Sequence, residues 1–289
     1  MKKIALFILL VGMFPFTVSA GEFTGTVSYT GSSKFNQVDA RLLWQYGINW
    51  LAGLEARYAD EEAFKDPIYT LKVPVGFTSD VLSATVTPFY YFKNTSDATD
   101  YQAFGMSGQF VMTLEDDAVN ERYSHAYVTA TFARQQGTRF FKTGNQEDGY
   151  YSQAAYTLGL HKNFFRTFSF EVAGTGFQYP DGITDTAHFR GILNQQDLAS
   201  LHSFDIVHEL PKYTAATRLT WIWPDRLATF YVGYRFGEFY TAESEHSLIV
   251  GNSFAFTKTL LCDVAYNHLQ DVHNQQKRDI FYAELKFKF

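Results

Sequence analysis

The chain has 289 residues, with 24 Lys and Arg against 30 Asp and Glu, and this net charge of −6 argues against a nucleic-acid partner. Cys262 is the one cysteine, which excludes an internal disulfide and a cysteine-based metal site. Aromatic residues make up 18% of the chain, with 29 Phe and 19 Tyr, yet mean hydropathy is only −0.18. A soluble domain of this size draws more on Leu, Ile and Val and on fewer rings.

The amino terminus reads as a secretory signal. Lys2 and Lys3 precede a short apolar run, Ile4 to Phe16, and Val18, Ser19 and Ala20 supply small residues for cleavage before Gly21. The cleavage site has no Cys, which argues against lipid attachment. This predicts a signal peptide over 1–20 and one domain over 21–289. Beyond it no apolar run is long enough for a transmembrane helix.

From Gly21 onward, apolar and polar residues alternate in a series of segments, the period of a β-strand with one greasy and one wet face. The first is Phe23 to Thr30; the second, Gln37 to Tyr46, sets Val38, Ala40, Leu42 and Trp44 against Asp39 and Arg41. Gly47 turns the chain into a third, where Trp50, Ala52, Leu54 and Ala56 oppose Glu55 and Arg57. The fourth carries Tyr69, Leu71, Val73 and Val75, with Lys72 and Pro74 on its wet face; Pro74 withholds a ladder donor and predicts a local bulge. Three more segments precede a long loop expected over Gln136 to Tyr150, and the eighth, after it, carries Ala154, Tyr156, Leu158 and Leu160. The ninth sets Phe168, Phe170 and Val172 against Glu171. A long non-alternating stretch, about Tyr179 to Pro211, comes next. Within it Ile192, Leu193, Leu198 and Leu201 have helical spacing and are expected to lie on a rim more than to plug a lumen. Later segments place Arg218 opposite Leu219 and Trp221, and Arg235 opposite Tyr234 and Phe236; Cys262 falls with Val264 and Tyr266 on a greasy face.

The last segment is the sharpest. Phe289, Phe287, Leu285, Ala283 and Phe281 alternate with Lys288, Lys286, Glu284 and Tyr282. On this terminal aromatic strand, and on the alternating pattern before it, the sequence resembles the bacterial outer-membrane β-barrel proteins. The resemblance implies an all-β fold, a transmembrane antiparallel up-and-down barrel, and recognition of Phe289 by the barrel-assembly machinery. The segments number about fourteen, with twelve and sixteen as the alternatives for an even-stranded barrel.

Loop lengths agree. Turns after even-numbered segments are mostly short and loops after odd-numbered ones mostly longer, as for periplasmic turns and outer loops. With both ends periplasmic, Trp44, Trp50, Phe77, Trp221, Trp223, Phe256 and Phe289 fall at the inner interface, and Tyr29, Tyr58, Tyr69, Tyr90, Tyr234 and Tyr266 at the outer one.

Catalytic signatures are missing. Ser124-His125, His202-Ser203 and His246-Ser247 are adjacent pairs that point to opposite faces of a strand. No lipase, zinc-protease or phosphate-loop pattern occurs, so no enzyme, metal or cofactor is expected. His161, His188, His202 and His208 are expected in or near outer loops and turns, as solvated surface. What remains is the wet face, which holds Arg41, Arg57, Lys72, Arg218 and Arg235 with Asp39, Glu55 and Glu171 as expected pore-lining residues. A lumen lined by both signs sorts ions and polar solutes. The expected function is an outer-membrane porin-like channel for small polar, anionic or sugar-like solutes, in contact with outer-membrane lipid in a Gram-negative-type bacterium. The alternatives are a barrel enzyme acting on lipid or polysaccharide and a non-conducting anchor or export component.

Overall fold

The computed structural model describes residues 21–33, 35–47, 49–61, 67–95, 99–117, 122–140, 146–164, 167–180, 210–223, 227–240, 243–272 and 277–289. The predicted signal segment, the 191–201 stretch and His188, His202 and His208 lie outside the described residues. The strand segments are β1 (Gly21–Ser32), β2 (Phe35–Tyr46), β3 (Trp50–Glu61), β4 (Ile68–Lys72), β5 (Val75–Thr78), β6 (Leu82–Thr95), β7 (Thr99–Asp117) and β8 (Arg122–Phe140). They continue with β9 (Gln146–Phe164), β10 (Phe168–Gln178), β11 (Pro211–Ile222), β12 (Ala228–Phe239), β13 (Glu245–Ala255), β14 (Leu260–Asp271) and β15 (Lys277–Lys288).

The strands pair antiparallel around the wall, and β15 pairs with β1, so the sheet closes on itself. The last bonds of that closure run from Phe289 N–H to Phe23 O, 2.9 Å, and from Phe23 N–H to Phe289 O, 3.3 Å. β4 and β5 share one place between β3 and β6, so the wall has fourteen positions. Closure leaves no unpaired edge, which is the condition for backbone to sit in hydrocarbon.

The break between β4 and β5 is not the expected bulge. Lys72 faces Phe89 and Val75 faces Val86, so no residue is inserted across it. On the other side Glu55 faces Lys72 and Ala52 faces Val75, again without a slip. The ladder is thinned instead. Gly53 N–H donates to Pro74 O at 2.8 Å and Val73 N–H to Pro88 O at 3.0 Å, and neither proline has an N–H to return the bond.

Apolar side chains of the alternating pattern face outward. Leu158 is 66% exposed and Trp50 58%, while Thr157, the residue before Leu158, is 5% exposed. A globular domain buries such groups; a surface lined with them suits hydrocarbon. Rings gather at the two ends of this outer face. Phe23 stacks on Trp44, Trp50 meets Phe77, and Phe168, Trp221 and Trp223 stack in a row at the end where β1 begins and β15 ends. Tyr58 with Tyr69, Tyr90 with Phe92, and Tyr266 with Phe281 mark the other end. Cys262 is a free thiol on the greasy parity.

β7, β8 and β9 differ from the rest. Each runs 19 residues where most others run 11 or 12. The expected loop over Gln136 to Tyr150 is therefore largely strand: β8 continues to Phe140 and β9 starts at Gln146. β7 likewise stays strand through the charged Glu115 and Asp116 as far as Asp117.

Two large rings lie flat along the inner wall. Tyr127 faces Gly159 in register, and a Cβ at Gly159 would sit 2.1 Å from the Tyr127 ring. Tyr231 faces Gly251 in the same way, with a Cβ only 2.2 Å away. Each ring reaches one strand further to an acid: Tyr127 Oη donates to Glu171 at 3.2 Å and Tyr231 Oη to Asp263 at 2.8 Å. The chain thus repeats a tyrosine, glycine, acid unit on β8, β9 and β10 and again on β12, β13 and β14. At the outer end of the interior, Phe35, Ala59, Ile68, Tyr91, Ala103, Ala133, Ala155 and Phe177 form a buried apolar cluster.

Candidate functional site

The interior wall carries every charged residue singled out in the sequence, and the register decides which of them meet. Residues directly opposite on paired strands point to the same face. Arg41 on β2 faces Glu55 on β3, and Glu55 faces Lys72 on β4. One step further out, Asp39 faces Arg57. The resulting network is dense. Lys72 Nζ lies 2.9 Å from Glu55 Oε1, and both Arg41 and Arg57 approach Glu55 at 3.9 Å. Arg57 donates its Nε hydrogen to Asp39 Oδ1 and is only 5% exposed, whereas Arg41 is 44% exposed. Arg57 is thus a wall component and Arg41 is the cation of this network most open to the lumen.

A cavity of about 300 Å³ opens beside this network. Arg41, Glu55 and Lys72 line one side of it, and Thr85, Thr87, Ser107, Gln109, Thr129, Thr131 and Thr157 carry the lining round to β9. Hydroxyls suit such a wall because each is donor and acceptor and none fixes a charge. Ser107 and Thr131 already bond each other at 3.0 Å, and Thr157 bonds Thr175 at 2.8 Å.

The other expected residues do not join that network. Glu171 and Arg218 face each other on β10 and β11, and Arg218 lies over the Tyr231 ring at 4.1 Å. Glu171 is 4% exposed and accepts from Tyr127. Arg235 sits on β12 between Ala216 and Ser247, nearer the outer end. His161 is near the turn between β9 and β10, as expected, but it is a half-buried wall residue and not solvated surface. It lies on β9 facing His125 and Glu171, and its ring stacks on that of His125 at 4.9 Å. Its parity with Leu160 on the outward face carries this signal, because 161 must then point inward. Phe289 ends the wall, 73% exposed, with its ring stacked on Phe287.

Among solved structures the chain is similar to the toluene transporter TodX of Pseudomonas putida, at 12% identity and TM-score 0.53, over 94% of this chain and 90% of that one. The monoaromatic hydrocarbon channel CymD matches at 9% identity and TM-score 0.51, over 94% and 88%. CdiB from Acinetobacter baumannii matches at 10% identity and TM-score 0.54, over 94% of this chain but 60% of that one. The chain has the fold of the outer-membrane β-barrels. No family model matches it, and no curated protein is similar to it in sequence. The barrel's interior chemistry is therefore read from its own residues. Among those described, no group of three or more His, Cys, Asp or Glu is arranged to hold a metal ion.

Proposed function

We propose that the protein is a passive channel of the outer membrane that admits small polar solutes. The observation that carries this reading is the cavity beside Arg41, walled mainly by Thr, Ser and Gln side chains and by one charged network. Such a lining replaces part of a solute's hydration shell without holding it tightly, which is what conduction requires. A fourteen-position barrel is also wider than the eight-strand size that side chains fill by themselves. The experiment is reconstitution into planar bilayers. Discrete conductance steps are expected, and a Thr129→Trp change, which puts a ring into the cavity, lowers their amplitude. Absence of steps from a folded barrel removes the reading.

One observation favours a second solute class. The outer end of the interior holds Phe35, Ile68, Tyr91 and Phe177, with Phe89 packed against them. Two of the structural neighbours are channels for hydrocarbons by name. A barrel that takes up apolar rings would be expected to speed entry of an aromatic hydrocarbon into vesicles and to give no ion steps. The polar reading expects the reverse.

A further inference from the structure

The charge balance of the interior is uneven around its circumference, and the register shows where. Thr26 on β1 is flanked in its row by Arg41 on β2 and by Lys286 on β15. The row therefore runs Lys286, Thr26, Arg41, Glu55, Lys72 across five consecutive wall positions. One step outward the row runs Glu284, Ser28, Asp39 and Arg57, so this face holds four cations, Lys286, Arg41, Arg57 and Lys72, against three carboxylates, Glu55, Asp39 and Glu284. Two of the carboxylates are engaged on the far side of Arg41, Glu55 by Lys72 and Asp39 by Arg57. On β15 the nearby Glu284 accepts from Tyr282 Oη at 2.7 Å, and Lys288 pairs with Glu22 at 2.8 Å. Lys286 is exposed and has no ion-pair partner among the described residues. Arg41 reaches Glu55 only at 3.9 Å, too far for a hydrogen bond, so its donors remain available to the lumen.

We propose that Lys286, Thr26 and Arg41 form a binding site for small oxyanions inside the barrel, the step at which anionic solutes are selected. The inference rests on the channel reading for its role in transport but not for the binding itself. Two strand spacings separate the backbones of Arg41 and Lys286, roughly 10 Å. Both side chains are long enough to converge on one anion above the Thr26 hydroxyl. The guanidinium supplies paired N–H donors, the ammonium a mobile point charge, and the hydroxyl a donor between them. The opposite wall does not compete: there Glu171 and Arg218 face each other, and the adjoining groups in the row are the His125 and His161 imidazoles. The selected class is a phosphate, sulfate or carboxylate on a small solute.

The test uses the whole chain, folded into detergent micelles, with inorganic phosphate as the probe and phosphorus NMR line width as the readout. Saturable broadening is expected. It should weaken by about tenfold or more in Arg41→Gln with Lys286→Gln, since each removes a charge-assisted contact. Arg41→Lys should retain part of it. Lys212→Gln, at the outer rim where Lys212 pairs with Glu238 at 2.7 Å, should leave it unchanged. Circular dichroism confirms the fold of each variant. Wild-type protein without saturable binding, or a double variant that binds as well as wild type, overturns the site. Bilayer recordings separate the two ideas: phosphate binding without conductance sinks the channel and leaves the site standing.

Discussion

A single added methyl tests whether the flat tyrosine rings hold the wall together. In Gly159→Ala the new Cβ would lie 2.1 Å from Cζ of Tyr127 and 2.4 Å from both Cε1 and Oη. Ordinary contact begins near 3.4 Å, so the ring must swing off the wall by more than an ångström. Overpacking of this kind costs about 1–3 kcal/mol. The displaced ring also loses its bond to Glu171, and a buried bond to a charged group is worth roughly 1.5–3 kcal/mol. The conformational gain of replacing glycine by alanine returns only about 0.5–1 kcal/mol. The net loss is about 3 kcal/mol, which lowers a urea midpoint by about 1 M at a slope typical of a larger chain. The assay is urea unfolding of the barrel in lipid vesicles, followed by tryptophan fluorescence. The decisive comparison is Gly159→Ala placed on Tyr127→Ala: without the ring the methyl should be harmless or mildly stabilising, a coupling of about 3 kcal/mol between the two positions. Gly176→Ala, where nothing lies within 4 Å, is the matched control. Equal losses from Gly159→Ala with and without the ring would refute the reasoning.

The same wall yields further expected outcomes. Arg57→Ala leaves the half-buried Asp39 with the Gln37 amide but without its cation and should cost about 3 kcal/mol in the same unfolding assay, while Arg41→Ala, more open and weakly paired, should cost under about 1 kcal/mol. Pro88→Val restores the N–H missing opposite Val73 O and should raise stability by about 1 kcal/mol, read as a higher urea midpoint. Phe289→Ala keeps the backbone bonds to Phe23 and should fold in vesicles at the wild-type rate. Folding catalysed by the barrel-assembly machinery should be slowed severalfold, and equal catalysed rates would remove the role of that ring.

Much of the wall is legible in the sequence because lipid imposes one rule on every crossing. Wherever a segment lies in hydrocarbon its outward residues must be apolar, so Phe168, Phe170 and Val172 declare a strand as plainly as Phe287 and Phe289 do. The rule lapses beyond the bilayer. There the β8 and β9 extensions bond to each other, Gln136 facing Tyr150 and Thr138 facing Asp148, with no need for an apolar face, and alternation disappears while the strands continue. Pro74 misleads for a related reason: a missing donor can be met by inserting a residue or by leaving the bond out, and only the partner register tells which. The site shows the same limit. Parity alone turns Arg41, Arg57 and Arg218 inward together, but their partners come from stagger between strands, which sequence spacing does not encode. That stagger buries Arg57 on Asp39, lays Arg218 over Tyr231 and leaves Arg41 open.

Laying the bulky tyrosines along the sheet, in hollows left by Gly159 and Gly251, divides the interior into two populations of residues. One set braces neighbouring staves against shear; the other, small and hydroxylated, lines the cavity and, in the channel we propose, decides what can pass. Bore and rigidity can then drift separately under selection. In such a channel a threonine facing the cavity could be exchanged to suit a new cargo while the bracing stays intact, so the scaffold could change its diet without first being rebuilt.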